Sequence, residues 1–330
     1  MIAVIQEGYG APERVLRTAE REPPRCGDDD ALVRVRATCV NTPDWITVTG
    51  TPYVLRVQTG LRGPRTPVRG TDLAGVVEDV GKSVTDLAPG DEVFGSAWTG
   101  SLATVGTYAE LTTAPAAQLL EKPASLTFEE AAGSVMSGVT ALLAMRDTGR
   151  VGPGTSVLVN GASGGVGTFA VQFAKQLGAE VTGVCSTRNV ELVESLGADA
   201  VVDYTKDDFT EGRRRYDVIL DNVLNHPPTR TVRALATDGI FIPSSVGNTG
   251  GLLAGLPRMA RAAVMGKGRR NVEFVTCEVN RATLEALATP LESGAARVVI
   301  DETYPLADAA RAVAHMLSHR ARGKVVIAVP

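Results

Sequence analysis

The chain has 330 residues, 44% of them hydrophobic and 21% charged, with a formal net charge of −4. That length suits about two domains with a core each, and the acidic balance argues against a polyanionic partner, so no nucleic acid is expected. No apolar run reaches the ~20 residues of a membrane span, and the opening MIAVIQEGYG lacks the basic start and apolar centre of a signal peptide, so a cytoplasmic protein without a membrane partner is expected.

Residues 1–124 read as short strands and turns. The stretch ALVRVRATCV alternates apolar and polar residues, as a half-buried strand does, and TDLAGVVEDVG and GDEVFG follow after Gly and Pro turns. From Ser125 the pattern becomes helical, with Thr127 as N-cap and Glu130 three residues on. Strands and helices then alternate: TSVLVNGA, EVTGVCS, AVVDY, YDVILDNV, GIFIPSS and VEFVTCEV supply six strands. The expected fold class is α/β, a β-rich domain plus a doubly wound parallel six-stranded sheet over residues 125–279. Residues 280–330 return to β-structure and are expected to rejoin the first domain. Cys26, Cys39, Cys185 and Cys277 form no CxxC pair and are read as reduced thiols, neither catalytic nor zinc-binding.

The most informative stretch is VLVNGASGGVGTFAVQFAKQLGAEV. Ala162, Ser163, Gly164, Gly165, Val166 and Gly167 make an A-x-G-x-x-G turn between a strand and a helix. Small residues there let backbone N–H groups approach a pyrophosphate at the helix N-terminus. A ribose-2′-hydroxyl reader would be an acid at the end of the second strand. That strand instead runs into Ser186, Thr187 and Arg188, with Tyr204 ending the third strand, a set that suits a 2′-phosphate. A solvated arginine on a loop is the alternative. The expected cofactor is NADPH (NADP+).

Taken in order, VRVRATCVNTPDW, VRGTDLAGVVEDVGKSVTDLAPGDEVFG, GTYAEL, LTFEEAAGSVMSGVTAL, the Gly-rich stretch, LGADAVVDY and RGKVVIAV resemble the medium-chain dehydrogenase/reductase superfamily. The resemblance is to its zinc-free quinone oxidoreductase and enoyl reductase branch. It implies a GroES-like catalytic domain built from both chain ends, plus a Rossmann domain. It extends the expected cofactor contacts to Thr140, Asn222, Val223, Ser245 and Val246, and it implies a homodimer. Zinc-dependent members place Cys and His where this chain has Asn41 and Thr42, and His and Glu where it has Thr71 and Asp72. They also carry a four-cysteine lobe that is missing here. No metal is therefore expected.

Without a Lewis acid, oxidation of a simple alcohol lacks an obvious route to the alkoxide, whereas a conjugated acceptor spreads the charge left by hydride addition. The expected partner is a small electron-poor molecule: a quinone or an α,β-unsaturated carbonyl, reduced by hydride. A metal-free carbonyl reductase or alcohol dehydrogenase, or a low-turnover NADPH-binding structural or regulatory protein, are the alternatives. Among zinc-free relatives the position of Asn41 lies beside nicotinamide and substrate, so Asn41 is a candidate donor to a ribose hydroxyl or an oxyanion, or else a turn residue. Tyr53 is a candidate proton donor or a packing residue, and Asp44 a candidate catalytic group or, more in keeping with its position, an organiser of the loop. His226 follows the fourth strand and is read as a substrate contact or a polar loop residue. His315 and His319 have metal-binding spacing but no third ligand near them. The segment containing Leu252, Leu253, Leu256, Met259, Arg258, Arg261, Arg269 and Arg270 is read as a specificity, dimer or solvated face.

Overall fold

The computed structural model describes residues 1–100, 106–245, 253, 255–266 and 271–330. Two compact units emerge: Met1–Val139 with Glu278–Gly294 and Ile300–Pro330, and Thr140–Cys277 with Ala295–Val299. The first contains both ends of the chain. The helix Phe128–Leu143 runs across the change of unit, beyond the sequence boundary at residue 124. Its start is the expected capping box, with Glu130 N–H donating to Thr127 Oγ1 at 3.1 Å and Thr127 N–H to Glu130 Oε2 at 2.9 Å.

In the first unit, β1 (Ile2–Gln6) and β2 (Leu16–Glu20) pair as a small ribbon. A larger mixed sheet takes β3 (Asp30–Cys39), β4 (Asp72–Val80), β5 (Glu92–Ser96), β6 (Leu111–Pro115) and β7 (Leu119–Glu121). The strand β3 holds it together, because Ala31, Val33, Val35 and Ala37 point into the core while Arg34 and Arg36 point to solvent. This is the period of two that the sequence shows. A core of Val33, Val35, Leu73, Val93, Tyr108 and Leu119 lies against that face.

The second unit is a six-stranded sheet of β8 (Ser156–Asn160), β9 (Glu180–Cys185), β10 (Ala200–Asp203), β11 (Tyr216–Asp221), β12 (Leu235–Pro243) and β13 (Asn271–Val272). All pairs are parallel, in the order β10-β9-β8-β11-β12-β13, the doubly wound arrangement expected. One element differs. The stretch VEFVTCEV was read as the sixth strand, yet β13 ends at Val272 and Glu273–Val279 has no strand pairing beyond Glu273 N–H to Phe241 O at 3.0 Å. The apolar residues of the stretch mimic a strand, but β13 is the edge of the sheet and among the described residues no further strand pairs there.

The chain returns to the first sheet through the helix Arg281–Glu292, β14 (Ile300–Pro305), the helix Ala309–Leu317 and β15 (Lys324–Ala328). The antiparallel register of β15 on β3 sets Val326 opposite Cys39, and Val40 N–H donates to Val325 O at 2.9 Å. The first residue of β15 thus lies level with the turn that follows β3. That turn starts the helix Thr42–Thr49, whose cap residue Asn41 is extended (φ −121°). Asp44 closes the turn by accepting the Asn41 N–H at 2.7 Å, and Gly50 ends the helix in the left-handed region (φ 62°).

Two stability predictions follow from these contacts. A Cβ on Gly167 would stand 2.1 Å from the backbone oxygen of Gly161, so Gly167→Ala is expected to lose about 1–3 kcal/mol in urea unfolding. Burial pushes the Asp44 carboxyl up to about 7 from an ordinary 3.8. The folded state therefore favours its protonated form, and this contribution to stability is lost as pH rises from 3.8 through about 7. Thermal melts between those limits should fall with pH more steeply for the wild type than for Asp44→Asn; equal slopes would refute the assignment.

Candidate active site

In the second unit the expected cofactor residues gather at one edge of the sheet. Register places Asn160 beside Val184, Cys185 beside Asp203, and Asp221 beside both Asn160 and Pro243. The residues after each of these strand ends are Gly161–Gly167, Ser186–Arg188, Tyr204, Asn222–Val223 and Ser245. This is the carboxyl edge of a parallel sheet, and the order of strands reverses between β8 and β11. Gly161 turns the chain there with φ 78°. The helix Gly165–Gln176 begins with Gly164 as its cap, which has no side chain to occupy the first N–H groups. A Cβ at Gly164 would meet nothing nearer than the Gly161 oxygen at 3.4 Å. A helix N-terminus reached through such a glycine turn suits the diphosphate of a dinucleotide.

Side chains brace this edge. Asn189 Nδ2 donates to Ser163 Oγ at 2.9 Å, and Asn222 Nδ2 to Asn160 O at 3.2 Å. Asp221 is buried, and its Oδ1 accepts from Asn160 Nδ2 at 2.7 Å and from the Leu224 N–H at 2.8 Å. Burial pushes its carboxyl above the ordinary range. Asp203, which sequence reading passed over, accepts from Thr187 Oγ1 at 2.5 Å and Thr205 Oγ1 at 2.7 Å and pairs with Lys206 at 3.2 Å. Those hydroxyl bonds hold its carboxyl well below the usual range. Its charge is thereby spent within the turn that carries Arg188. Tyr204 is 60% exposed beside that turn. Thr140 sits within the helix Phe128–Leu143, and Val246 lies outside the described residues.

In the first unit Asn41 is buried at the centre of a polar cluster. Its Nδ2 donates to Thr71 Oγ1 at 2.9 Å and to Asp72 Oδ2 at 2.8 Å, while its Oδ1 accepts from Lys324 Nζ at 2.6 Å. Asp72 Oδ2 also accepts the Met136 N–H at 2.9 Å. Lys324 donates further to Ser137 Oγ at 3.0 Å. Burial raises the Asp72 carboxyl, and the Lys324 charge and the Met136 and Asn41 hydrogen bonds oppose this. Asp44 is likewise buried, under the Asn41 N–H, with the Arg69 charge near enough to favour its ionised form. Burial lowers Arg69 to about 10. Cys39 lies under the cluster, and burial drives its thiol far up, consistent with an inert sulfur. Sequence reading found Asn41, Thr71 and Asp72 but missed Lys324 and Ser137. No local pattern marks a lysine at the head of an apolar strand as buried.

Other expected residues lie elsewhere. Tyr53 is 48% exposed on a short turn, and its ring and that of Tyr9 each lie 4.4 Å from the Arg56 guanidinium. His226 is held at 3.6 Å from Asp208, edge-on to Phe209. His315 faces Asp301 at 3.1 Å and Tyr304 OH at 3.1 Å, whereas His319 lies past the helix end at φ 55°, so the two do not act as an i, i+4 pair. Arg258 donates to the Leu224 carbonyl. Leu252, Arg269 and Arg270 lie outside the described residues. Cys39 and Cys185 are buried, and Cys26 and Cys277 partly so. Among the described residues no helix is long and apolar enough to cross a membrane.

The alcohol dehydrogenase GroES-like domain family matches residues 27–124, and a family described as zinc-binding dehydrogenase matches residues 196–327. A trans-enoyl reductase of Aspergillus terreus is 33% identical over 327 residues, covering 92% of this chain and 87% of that one. A chloroplastic quinone oxidoreductase of Triphysaria versicolor is 28% identical over 347 residues, covering 99% and 98%. The crystal structure of Escherichia coli quinone oxidoreductase complexed with NADPH superposes with a TM-score of 0.83 at 25% identity, covering 99% of this chain and 100% of that one. The zinc in the second family's description does not fit the cluster around Asn41. An amide, a hydroxyl and one carboxylate stand there with an ammonium 2.6 Å from the amide oxygen, a poor donor set for Zn²⁺. Among the described residues no group of three His, Cys, Asp or Glu side chains converges to hold a metal. With its β-rich unit, its doubly wound sheet and these relatives, the chain belongs to the medium-chain dehydrogenase/reductase superfamily, in the quinone oxidoreductase and enoyl reductase branch.

Proposed function

We propose that this oxidoreductase is an NADPH-dependent reductase of quinones or α,β-unsaturated carbonyls that works without zinc. The observation that carries the reading is the cluster at Asn41: Asn41, Thr71 and Asp72, which stand where the resemblance puts metal ligands in zinc-dependent members, are tied to one another by hydrogen bonds, and Asn41 also to Lys324. Without a Lewis acid, the acceptor must itself delocalise the charge that hydride addition leaves. Enones and quinones do so, as an enolate or a phenolate. The bound nicotinamide supplies the hydride. The Gly161–Gly167 turn binds the diphosphate, and Ser186 and Arg188 bind the 2′-phosphate, on this reading. Support for this choice comes from Asp203, the acid that ends the third strand, which is tied to Thr187, Thr205 and Lys206.

The reading is tested by incubating the purified protein with NADPH deuterated at C4 and a panel of enones and quinones. Deuterium at the β-carbon of a saturated carbonyl product is the expected result; deuterium only at the carbonyl carbon, giving an allylic alcohol, would overturn it. For the cofactor, Arg188→Ala is expected to raise the NADPH Kd by about 10-fold or more and leave the NADH Kd within about twofold. Titration of protein fluorescence with each nucleotide measures both. Equal weakening of the two would remove Arg188 from the 2′-phosphate site.

A further inference from the structure

The mismatch with zinc points to what the cluster does instead. Lys324 is only 2% exposed, and all three of its ammonium hydrogens have acceptors: Asn41 Oδ1 at 2.6 Å, Ser137 Oγ at 3.0 Å and Val40 O at 3.4 Å. Both hydrogens of the Asn41 amide are equally committed, to Asp72 Oδ2 at 2.8 Å and Thr71 Oγ1 at 2.9 Å. The amide therefore bridges an ammonium and a carboxylate, oxygen toward the positive end and nitrogen toward the negative. Bonds from or to an ionised group are about twice as strong as neutral ones, so this orientation is fixed. Packing alone does not call for the arrangement, because apolar side chains often replace buried ion pairs without loss of stability.

Counting donors shows what is left. Thr71 Oγ1 accepts from Asn41, and Ser137 Oγ accepts from Lys324. Among the described residues neither hydroxyl has an acceptor for its own hydrogen. A hydroxyl whose oxygen accepts from a polarised donor is itself a stronger donor. We propose that Lys324 is the positioning residue of this site: with Asp72 it locks the Asn41 amide, and it leaves the Thr71 and Ser137 hydroxyls, not the amide, to donate to the oxyanion of the reduced substrate. The ammonium thereby acts as a fixed internal cation beside Asn41. The assignment of an oxyanion rests on the reductase reading above; the locking of Asn41 does not.

The test uses the full-length protein with NADPH and whichever panel substrate it reduces. Lys324→Met is expected to lower kcat by about 10²-fold, the cost of misplacing a site group by about an ångström, with NADPH Kd unchanged within about twofold. Ammonium chloride should restore activity to Lys324→Ala, and potassium chloride at equal ionic strength should not. Thr71→Val and Ser137→Ala are each expected to lower kcat by about 10-fold or more, as loss of an oxyanion donor does, with little change in KM. Unchanged kcat in both hydroxyl variants overturns the donor assignment, whether or not the Lys324 variants fold. Hydrogen exchange of the Asn41 side-chain amide, followed by NMR, reads the lock without any substrate. It should be slow in the wild type and about 10-fold faster in Lys324→Met; equal rates overturn the positioning role, and a wild type that reduces no enone or quinone refutes the reductase reading alone.

Discussion

A lysine ammonium taken out of water needs an acceptor for each of its hydrogens and a counter-charge within reach. In this protein that requirement organises one end of the first unit. Lys324 begins the last strand, Asn41 ends the turn after the central strand, and Asp72 begins the next strand of the same sheet. The hydrogen bond from Lys324 to Asn41 spans 283 positions of sequence. The antiparallel pairing of β15 with β3 is what brings the two together. Backbone register and buried charge thus specify each other: a slip of one residue would turn the Lys324 side chain to the opposite face.

Three buried carboxyls are raised by desolvation, Asp44, Asp72 and Asp221, and the structure treats them differently. Asp221 lies at the carboxyl edge of the parallel sheet and accepts from backbone N–H groups of the turn at Val223 and Leu224. Asp44, in the first turn of a helix, accepts the N–H of the cap residue Asn41, and Asp72 faces an ammonium through an amide. Each carboxyl holds a turn in the conformation that presents its neighbours. In this architecture buried carboxyl side chains set backbone shape.

The Gly-rich turn shows how local and tertiary demands coincide. Gly161 is needed for its left-handed backbone, and Gly167 because a Cβ would strike the Gly161 carbonyl. Gly164 is needed for neither, and caps the following helix instead. The same sequence pattern therefore serves three separate physical purposes.

Periodicity and turn chemistry sufficed to read the alternating strand β3, the capping box at Thr127, five of the six parallel strands and the glycine turn between β8 and its helix, since each depends on residues within one or two turns of chain. The expected sixth strand did not, because whether an apolar stretch pairs depends on a neighbour that the stretch cannot specify. Asn41, Thr71 and Asp72 were legible as places where metal ligands are missing. Their hydrogen bonds to one another, and the burial of Lys324 and Ser137 beside them, were not. Those contacts arise from strand register across nearly the whole chain, and the free energy that selects them belongs to a charge enclosed in the folded interior, a condition that exists only after folding.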